Sequence, residues 1–297
     1  MTIPVDVHRY AAFSDRPRGG NPAGVVLEAS HLTAEQMQHV AAEVGYSETA
    51  FVTGPLEAGP GGQIPIRYFA PEREVDFCGH ATIATAVAIG RRVRPGTYTL
   101  ATKAGPVAIS AWLEEDRVIG TFRSPDLGCY PLPEELLTQL LRALGWSTDD
   151  LDQNLPPAIG YGGNHHPVLV TPSLQRLATL SYDFDALQRL CRAHDWVTVH
   201  LVTPTGPDTW QARDPFPWGG VVEDPATGSA AAAFAGYLRA HDRVAPGQGL
   251  VITQGVEMGR PSRIQVELLD QAALISGVAT PIHDPRPTRR ETPRRRL

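Results

Sequence analysis

The stretch FCGHATIATAVAIG, residues 77–90, decides the fold. From His80 to Ile89 it is apolar or small all the way round, whereas a helix on a protein surface shows one apolar stripe and one polar face. Such a helix has to be enclosed by protein, so it is expected to run through the middle of a domain. A second stretch, TGSAAAAFAGYL from Thr227 to Leu238, has the same make-up: a glycine, a small polar residue, then an alanine-rich run.

Gly79 and Gly228 are 149 residues apart, and working outward from them the same spacing recurs. In TAEQMQHVAAEVG (33–45) Thr33 and Gln36 form a capping-box pattern, Met37, Val40, Ala41 and Val44 make an apolar stripe, and Gly45 stops it. The helix predicted there has its counterpart in Asp183 to Ala193. A strand is predicted after each: Tyr46 to Val52, whose alternation puts Tyr46, Glu48, Ala50 and Val52 on one side, and Trp196 to Val202. TKAGPVAISAW (102–112) is echoed by TQGVEMGRPSRIQVEL (253–268), again at an offset near 150. Three coincidences of one offset, each with its own element type in order, argue for an internal duplication. The expected fold is therefore α+β: two pseudo-symmetric domains, each a curved, mostly antiparallel, barrel-like sheet wrapped around a central helix. Residues 1–122 are expected to form the first domain and 123–274 the second, with the boundary in the Pro- and Gly-bearing stretch RSPDLGCYPLP (123–133). The last strand, over 275–283, is expected to return to the first domain.

A length of 297 residues is comfortable for two cores. No apolar run reaches the roughly 20 residues that cross a bilayer, and Met1 to Tyr10 reads as a strand rather than a secretory signal, which together predict a soluble protein with no membrane partner. Cys78, Cys129 and Cys191 are an odd set without a Cys-x-x-Cys pair, which fits a reducing cytoplasm better than a disulfide framework. In residues 284–297 six arginines against Asp284 and Glu291 make a +4 tail, expected to be disordered, and leave the body at -10. An acidic body argues against nucleic acid, which needs a basic face. Lys103 is the only lysine, which disfavours Schiff-base chemistry. Metal hydrolysis lacks a His-x-x-x-His or His-Glu-x-x-His pattern, and Asn164-His165-His166 stands alone. A G-x-S-x-G elbow and a P-loop are absent as well.

Helix starts expose unpaired backbone N–H groups, so two central helices beginning at Gly79-His80 and Gly228-Ser229 would make a carboxylate clamp. The plainer reading, that each glycine only permits a tight turn, weakens when the feature occurs twice. Glu48 lies on a strand among apolar neighbours, where a carboxylate tends toward a raised pKa suited to acid–base work. Asp224, in EDPATGS, either caps the following turn or faces a ligand. His80 is a helix cap, a substrate contact or a proton relay.

RGGNPAGVV (18–26), YSETAFV (46–52), FCGHATIATA (77–86), EDPATGSAAAA (223–233) and QGVEMGRPS (254–262) together resemble the PhzF-like phenazine-biosynthesis isomerase family, in order and to about residue 283. The resemblance implies the duplicated fold of diaminopimelate epimerase, a homodimer, no metal and no organic cofactor. It also implies that Glu48 is the acid–base residue and that His80, Asp224 and Ser229 bind a small carboxylated substrate, as in dihydro-hydroxyanthranilate isomerases. Diaminopimelate epimerase and proline racemase head each central helix with a cysteine; here the two places hold Cys78 and Thr227, and a threonine cannot act as a thiolate-like base. The strand matching Glu48's reads WVTVHLV and carries no second glutamate. A single base that takes and returns one proton is therefore expected. The alternatives are an amino-acid or hydroxy-acid racemase or epimerase that pairs Cys78 or Asp224 with Glu48, and a catalytically silent small-molecule-binding protein that keeps the cleft.

Overall fold

The structure is a computed structural model that describes residues 5–56 and 62–283; the arginine-rich tail lies outside the described residues. β1 (His8–Ala12) pairs antiparallel with β2 (Asn21–Val26), and α1 (Ala34–Val44) carries the chain across to β3 (Glu48–Val52), parallel to β2. β4 (Ile64–Phe69) turns back on β3, the two-residue β5 (Glu74–Val75) turns back on β4, and α2 (Gly79–Arg92) follows. β6 (Gly96–Thr102) lies parallel to β4, and β7 (Gly105–Glu114) and β8 (Arg117–Arg123) complete the series.

The second half repeats this order. After β9 (Gly128–Pro131) and α3 (Glu134–Leu144) come β10 (Ala158–Tyr161), β11 (His165–Val170), the short α4 (Leu174–Ala178) and α5 (Phe184–His194). β12 (His200–Gly206), β13 (Thr209–Pro215) and β14 (Glu223–Asp224) lead into α6 (Gly228–Ala240), and β15 (Gly249–Gln254), β16 (Ser262–Leu268) and β17 (Ala273–Pro281) end the described chain. The sense of pairing matches step for step: β2 with β3 and β11 with β12 are parallel, as are β4 with β6 and β13 with β15, while their neighbours are antiparallel. β17 pairs with β16, with β8 and with β1, so β1, β2, β3, β4, β6, β7, β8 and β17 close a barrel.

α2 threads that barrel and is buried without a break from His80 to Gly90; α6 is buried from Ala230 to Leu238. Small residues on both sides make the enclosure possible. A Cβ on Gly120 of β8 would stand 2.9 Å from the Ile83 carbonyl oxygen, and one on Gly160 of β10 would stand 2.9 Å from that of Ala233. The sheet could not close on either helix with a side chain there.

Local signals agree with the elements they specify. Thr33 and Gln36 make both bonds of the capping box, and Gly45 ends α1 in the left-handed region at φ 69°. The two strands that follow the crossover helices begin later than alternation alone implies. β3 starts at Glu48, where its pairing with Ala23 of β2 begins; β12 starts at His200, because Trp196 makes only an isolated bridge to His165 and Val199 bonds to the Pro215 carbonyl. Among the described residues no helix is long and apolar enough to cross a membrane.

Candidate active site

Cys78 and Thr227 are the N-cap residues of α2 and α6, and the two helices begin against one another: a Cβ on Gly79 would lie 3.7 Å from the Gly228 Cα. Phe122 of β8 packs its ring under both glycines. The first intrahelical bonds are Thr82 N–H to Cys78 and Ala231 N–H to Thr227. The amides of Gly79, His80, Gly228 and Ser229 therefore have no partner within their helices, and two positive helix ends meet at one place.

Glu48, the first residue of β3, reaches that place. Its Oε2 lies 3.4 Å from His80 Nε2 and accepts from the Cys78 thiol at 3.4 Å, and its side chain keeps 16% exposure. Asn21, the first residue of β2 and buried, is the hub of the network. Its Nδ2 donates to Asp224 Oδ1 at 2.7 Å and to the Ala226 carbonyl at 3.3 Å, and lies 3.1 Å from His80 Nδ1. The Cys78 sulfur lies 3.3 Å from the same His80 Nδ1, so both ring nitrogens are engaged. Ser47 Oγ, 3.3 Å from His80 Nε2, donates to Asn21 Oδ1 at 3.5 Å.

On the other half, Thr227 donates to Asp224 Oδ2 at 2.6 Å, and buried Gln254, the last residue of β15, donates to the Asp224 carbonyl at 2.7 Å and to Thr227 Oγ1 at 3.0 Å. Asp224 thus bonds the hydroxyl of the cap residue rather than capping α6 itself. Burial pushes its carboxyl up to about 8, with the nearby Glu48 charge acting in the same direction. Burial lowers His80, which keeps the ring neutral, and burial, reinforced by Glu48, raises the Cys78 thiol well above its ordinary range.

Glu48, Cys78 and His80 each bring one ligand-type atom within 4.8 Å of the others, which by spacing alone could surround a cation. Burial and Glu48 push the Cys78 thiol away from ionisation, whereas a cysteine binds a metal as its thiolate. A cavity of about 500 Å³ at the far end of α6, lined by Trp210, Leu238 and Arg243, shares no residue with the cluster.

Of the residues picked from sequence, Glu48, Cys78, Gly79, His80, Asp224, Thr227 and Gly228 converge here. Ser229 is held instead by His166, whose Nε2 lies 3.0 Å from its hydroxyl. Asn21, Ser47, Gln254 and His166 went unassigned. The available signal was a polar residue at the end of an otherwise apolar strand, as in NPAGVV and GLVITQ.

Residues 10–284 match the family described as phenazine biosynthesis-like protein (PhzC-PhzF). The trans-2,3-dihydro-3-hydroxyanthranilate isomerase of Pseudomonas chlororaphis is 35% identical over 260 residues, covering 86% of this chain and 88% of that protein. The crystal structure of a PhzF-family phenazine biosynthesis protein from Bacillus anthracis superposes with a TM-score of 0.83 at 26% identity, over 94% of this chain and 97% of that one. A hydroxyproline epimerase from Agrobacterium vitis shares the fold at a TM-score of 0.62 and 13% identity, over 94% and 93% of the two chains.

Proposed function

The chain belongs to the PhzC-PhzF family of phenazine biosynthesis-like proteins and is an isomerase, and on that premise we propose that Glu48 alone carries a proton between two carbons of a small carboxylated metabolite. The observation that supports this most directly is the position of its carboxylate, 3.4 Å from both the Cys78 thiol and His80 Nε2, where the two helix starts abut. The free amides of Gly79, His80, Gly228 and Ser229 take the substrate carboxylate and stabilise charge that develops beside it. Glu48 removes a proton from carbon, the neutral His80 lies against its carboxylate, and protonated Glu48 returns the proton elsewhere on the same face. Asp224 holds its proton at neutral pH, so it faces the substrate as an uncharged acid and adds no second negative charge next to Glu48.

A two-base racemase would need a second group of matching strength across the cleft. Thr227 occupies the cap where a second thiol would stand, and the Cys78 thiol is pushed away from ionisation. The substrate class is that of trans-2,3-dihydro-3-hydroxyanthranilate, the acid named for the Pseudomonas relative. Incubation with that acid in deuterated water tests the reading: wild type should place deuterium on carbon, and Glu48→Gln should turn over about a thousandfold slower with affinity little changed. Near-normal turnover by Glu48→Gln refutes it.

A further inference from the structure

RGGNPAGVV (18–26) and QGVEMGRPS (254–262) belong to opposite halves, and in the fold one closes on the other. Arg260, in the loop between β15 and β16, donates from Nε to the Gly20 carbonyl and from Nη2 to the Gly19 carbonyl, both at 2.9 Å, and the Pro261 carbonyl accepts from the Gly20 N–H at 3.0 Å. A planar guanidinium presents two donors side by side to two successive carbonyls, which a lysine ammonium does not do. Both glycines are required for so close an approach. A Cβ on Gly19 would lie 2.7 Å from the Pro261 carbonyl oxygen, and Gly20 is left-handed at φ 58°, with a Cβ there 2.2 Å from the Ala12 carbonyl oxygen.

The Gly20 carbonyl and the Asn21 nitrogen belong to one planar peptide unit, so holding the first orients the second. Asn21 is the residue whose side-chain amide donates to Asp224 and lies against His80. The same loop governs the other partner of the Asn21–Asp224 bond. Gln254, where the loop begins, donates to the Asp224 carbonyl at 2.7 Å and accepts from the Thr227 N–H at 3.2 Å. The loop between is itself braced: the Arg260 N–H bonds back to the Gly255 carbonyl, the Ser262 hydroxyl donates to the Gln254 carbonyl, and Gln211 of β13 donates to Glu257 at 2.8 Å. A closed circuit therefore runs from Asn21 through Asp224, Gln254, the loop and Arg260 back to Gly20, and one braced loop sets both ends of the Asn21–Asp224 bond.

We propose that Arg260 is a positioning residue which, by fixing the Gly20–Asn21 peptide from the second half, aims the Asn21 amide at Asp224. This rests on the place given to Asp224 in the proposed function. Arg260 acts through Asn21 rather than on the substrate. Without the guanidinium, the Gly19–Gly20 turn keeps only the Pro261 bond to the loop, and Asn21 loosens while Gln254 stays in place.

Exchange of side-chain NH2 hydrogens with solvent, followed by NMR of isotope-labelled protein, reads this without any turnover; Asn21→Ala and Gln254→Ala assign the two signals. Arg260→Ala should speed exchange at Asn21 by about tenfold, the worth of one charge-assisted hydrogen bond, with exchange at Gln254 held within about twofold. Arg260→Lys, with one point donor for two carbonyls, should fall between, and it carries the test should Arg260→Ala fail to fold. With trans-2,3-dihydro-3-hydroxyanthranilate as substrate, Arg260→Ala should lower kcat about tenfold with KM within about threefold. The double variant Arg260→Ala/Asn21→Ala should be no slower than Asn21→Ala, since the one residue acts through the other. Unchanged exchange at Asn21, or equal acceleration at Gln254, overturns the proposal, and so does a double variant whose loss is the product of the two single losses. A wild type inactive on that acid overturns the substrate of the proposed function, while the exchange rates still decide the role of Arg260.

Discussion

Asp224→Asn should uncouple the stability of the protein from pH between about 4 and 8. The carboxyl of Asp224 is raised from 3.8 to about 8, first by burial and then by the Glu48 and Asp214 charges, against the lowering effect of hydrogen bonds from Thr227 and Asn21. Below pH 4 the folded and unfolded chains both hold the proton, and the group costs nothing. As the pH rises the unfolded chain ionises while the folded chain does not, so the contribution of Asp224 to stability is lost progressively until the folded carboxyl itself ionises near 8. Between pH 5 and 7 the slope approaches about 1.4 kcal/mol per pH unit, or about 3 kcal/mol over the window. Water reaching a half-buried carboxyl reduces this, so about 1–3 kcal/mol is the expected range. Asparagine has no ionisation to lose, keeps an oxygen for the Asn21 amide, and presents its NH2 to Thr227 Oγ1. Urea unfolding of both proteins at pH 5, 6, 7 and 8, followed by far-ultraviolet circular dichroism, gives the difference directly. The advantage of the variant should widen by 1–3 kcal/mol from pH 5 to 7. Parallel curves would mean that Asp224 is already ionised in the folded protein at pH 5, and the picture of an uncharged acid beside Glu48 would fall.

Cys78→Ala should keep turnover within about threefold of wild type, because a thiol raised by burial and by Glu48 is a poor base. Loss of activity by more than a hundredfold, with substrate protecting the native enzyme from iodoacetamide, would instead revive a racemase that uses the thiol. Arg73, before β5, stacks over the Trp218 ring, before β14, with 4.7 Å between the guanidinium carbon and the ring centroid, and so ties the two halves together. Trp218→Ala should enlarge the radius of gyration of the free protein in small-angle scattering, and a carboxylate ligand should restore the wild-type value; an unchanged radius would show that this contact does not hold the halves together.

The fold was legible because its deciding feature is local. A helix that is small and apolar on every side can be read from residues 77–90 alone, and its repetition at 227–238 implies the second half before any contact is known. Caps and turn glycines, such as Thr33, Gln36 and Gly45, are equally local. The site was legible only where its residues lie at those helix starts or in a recognisable motif. Asn21 bonds to Asp224 across 203 positions of sequence, and nothing within its own strand announces that partner.

His166 shows why the duplication itself could not reveal the remaining residues. Sliding the sequence by 149 positions pairs Gly79 with Gly228 and therefore His80 with Ser229, an imidazole with a hydroxyl, which looks like a loss of chemistry in the second half. The strands do not obey that offset. Asn21 lies 59 residues before His80, but His166 lies 63 before Ser229, because the connections between strand and helix differ in length. No single offset aligns both elements, so the imidazole that the second helix lacks is found only when the strands are superposed in space. The scaffold was repeated, and within it the imidazole sits on the helix in one half and on the strand in the other. That exchange gives the two halves unlike groups at one shared site: the imidazole of His80 facing Glu48, and the hydroxyl of Ser229 bonded to His166. A symmetric pair of acid–base groups suits inversion at a single carbon, where a proton leaves one face and arrives at the other. An asymmetric pair, with the base in one half alone, suits a proton that leaves and returns on the same face.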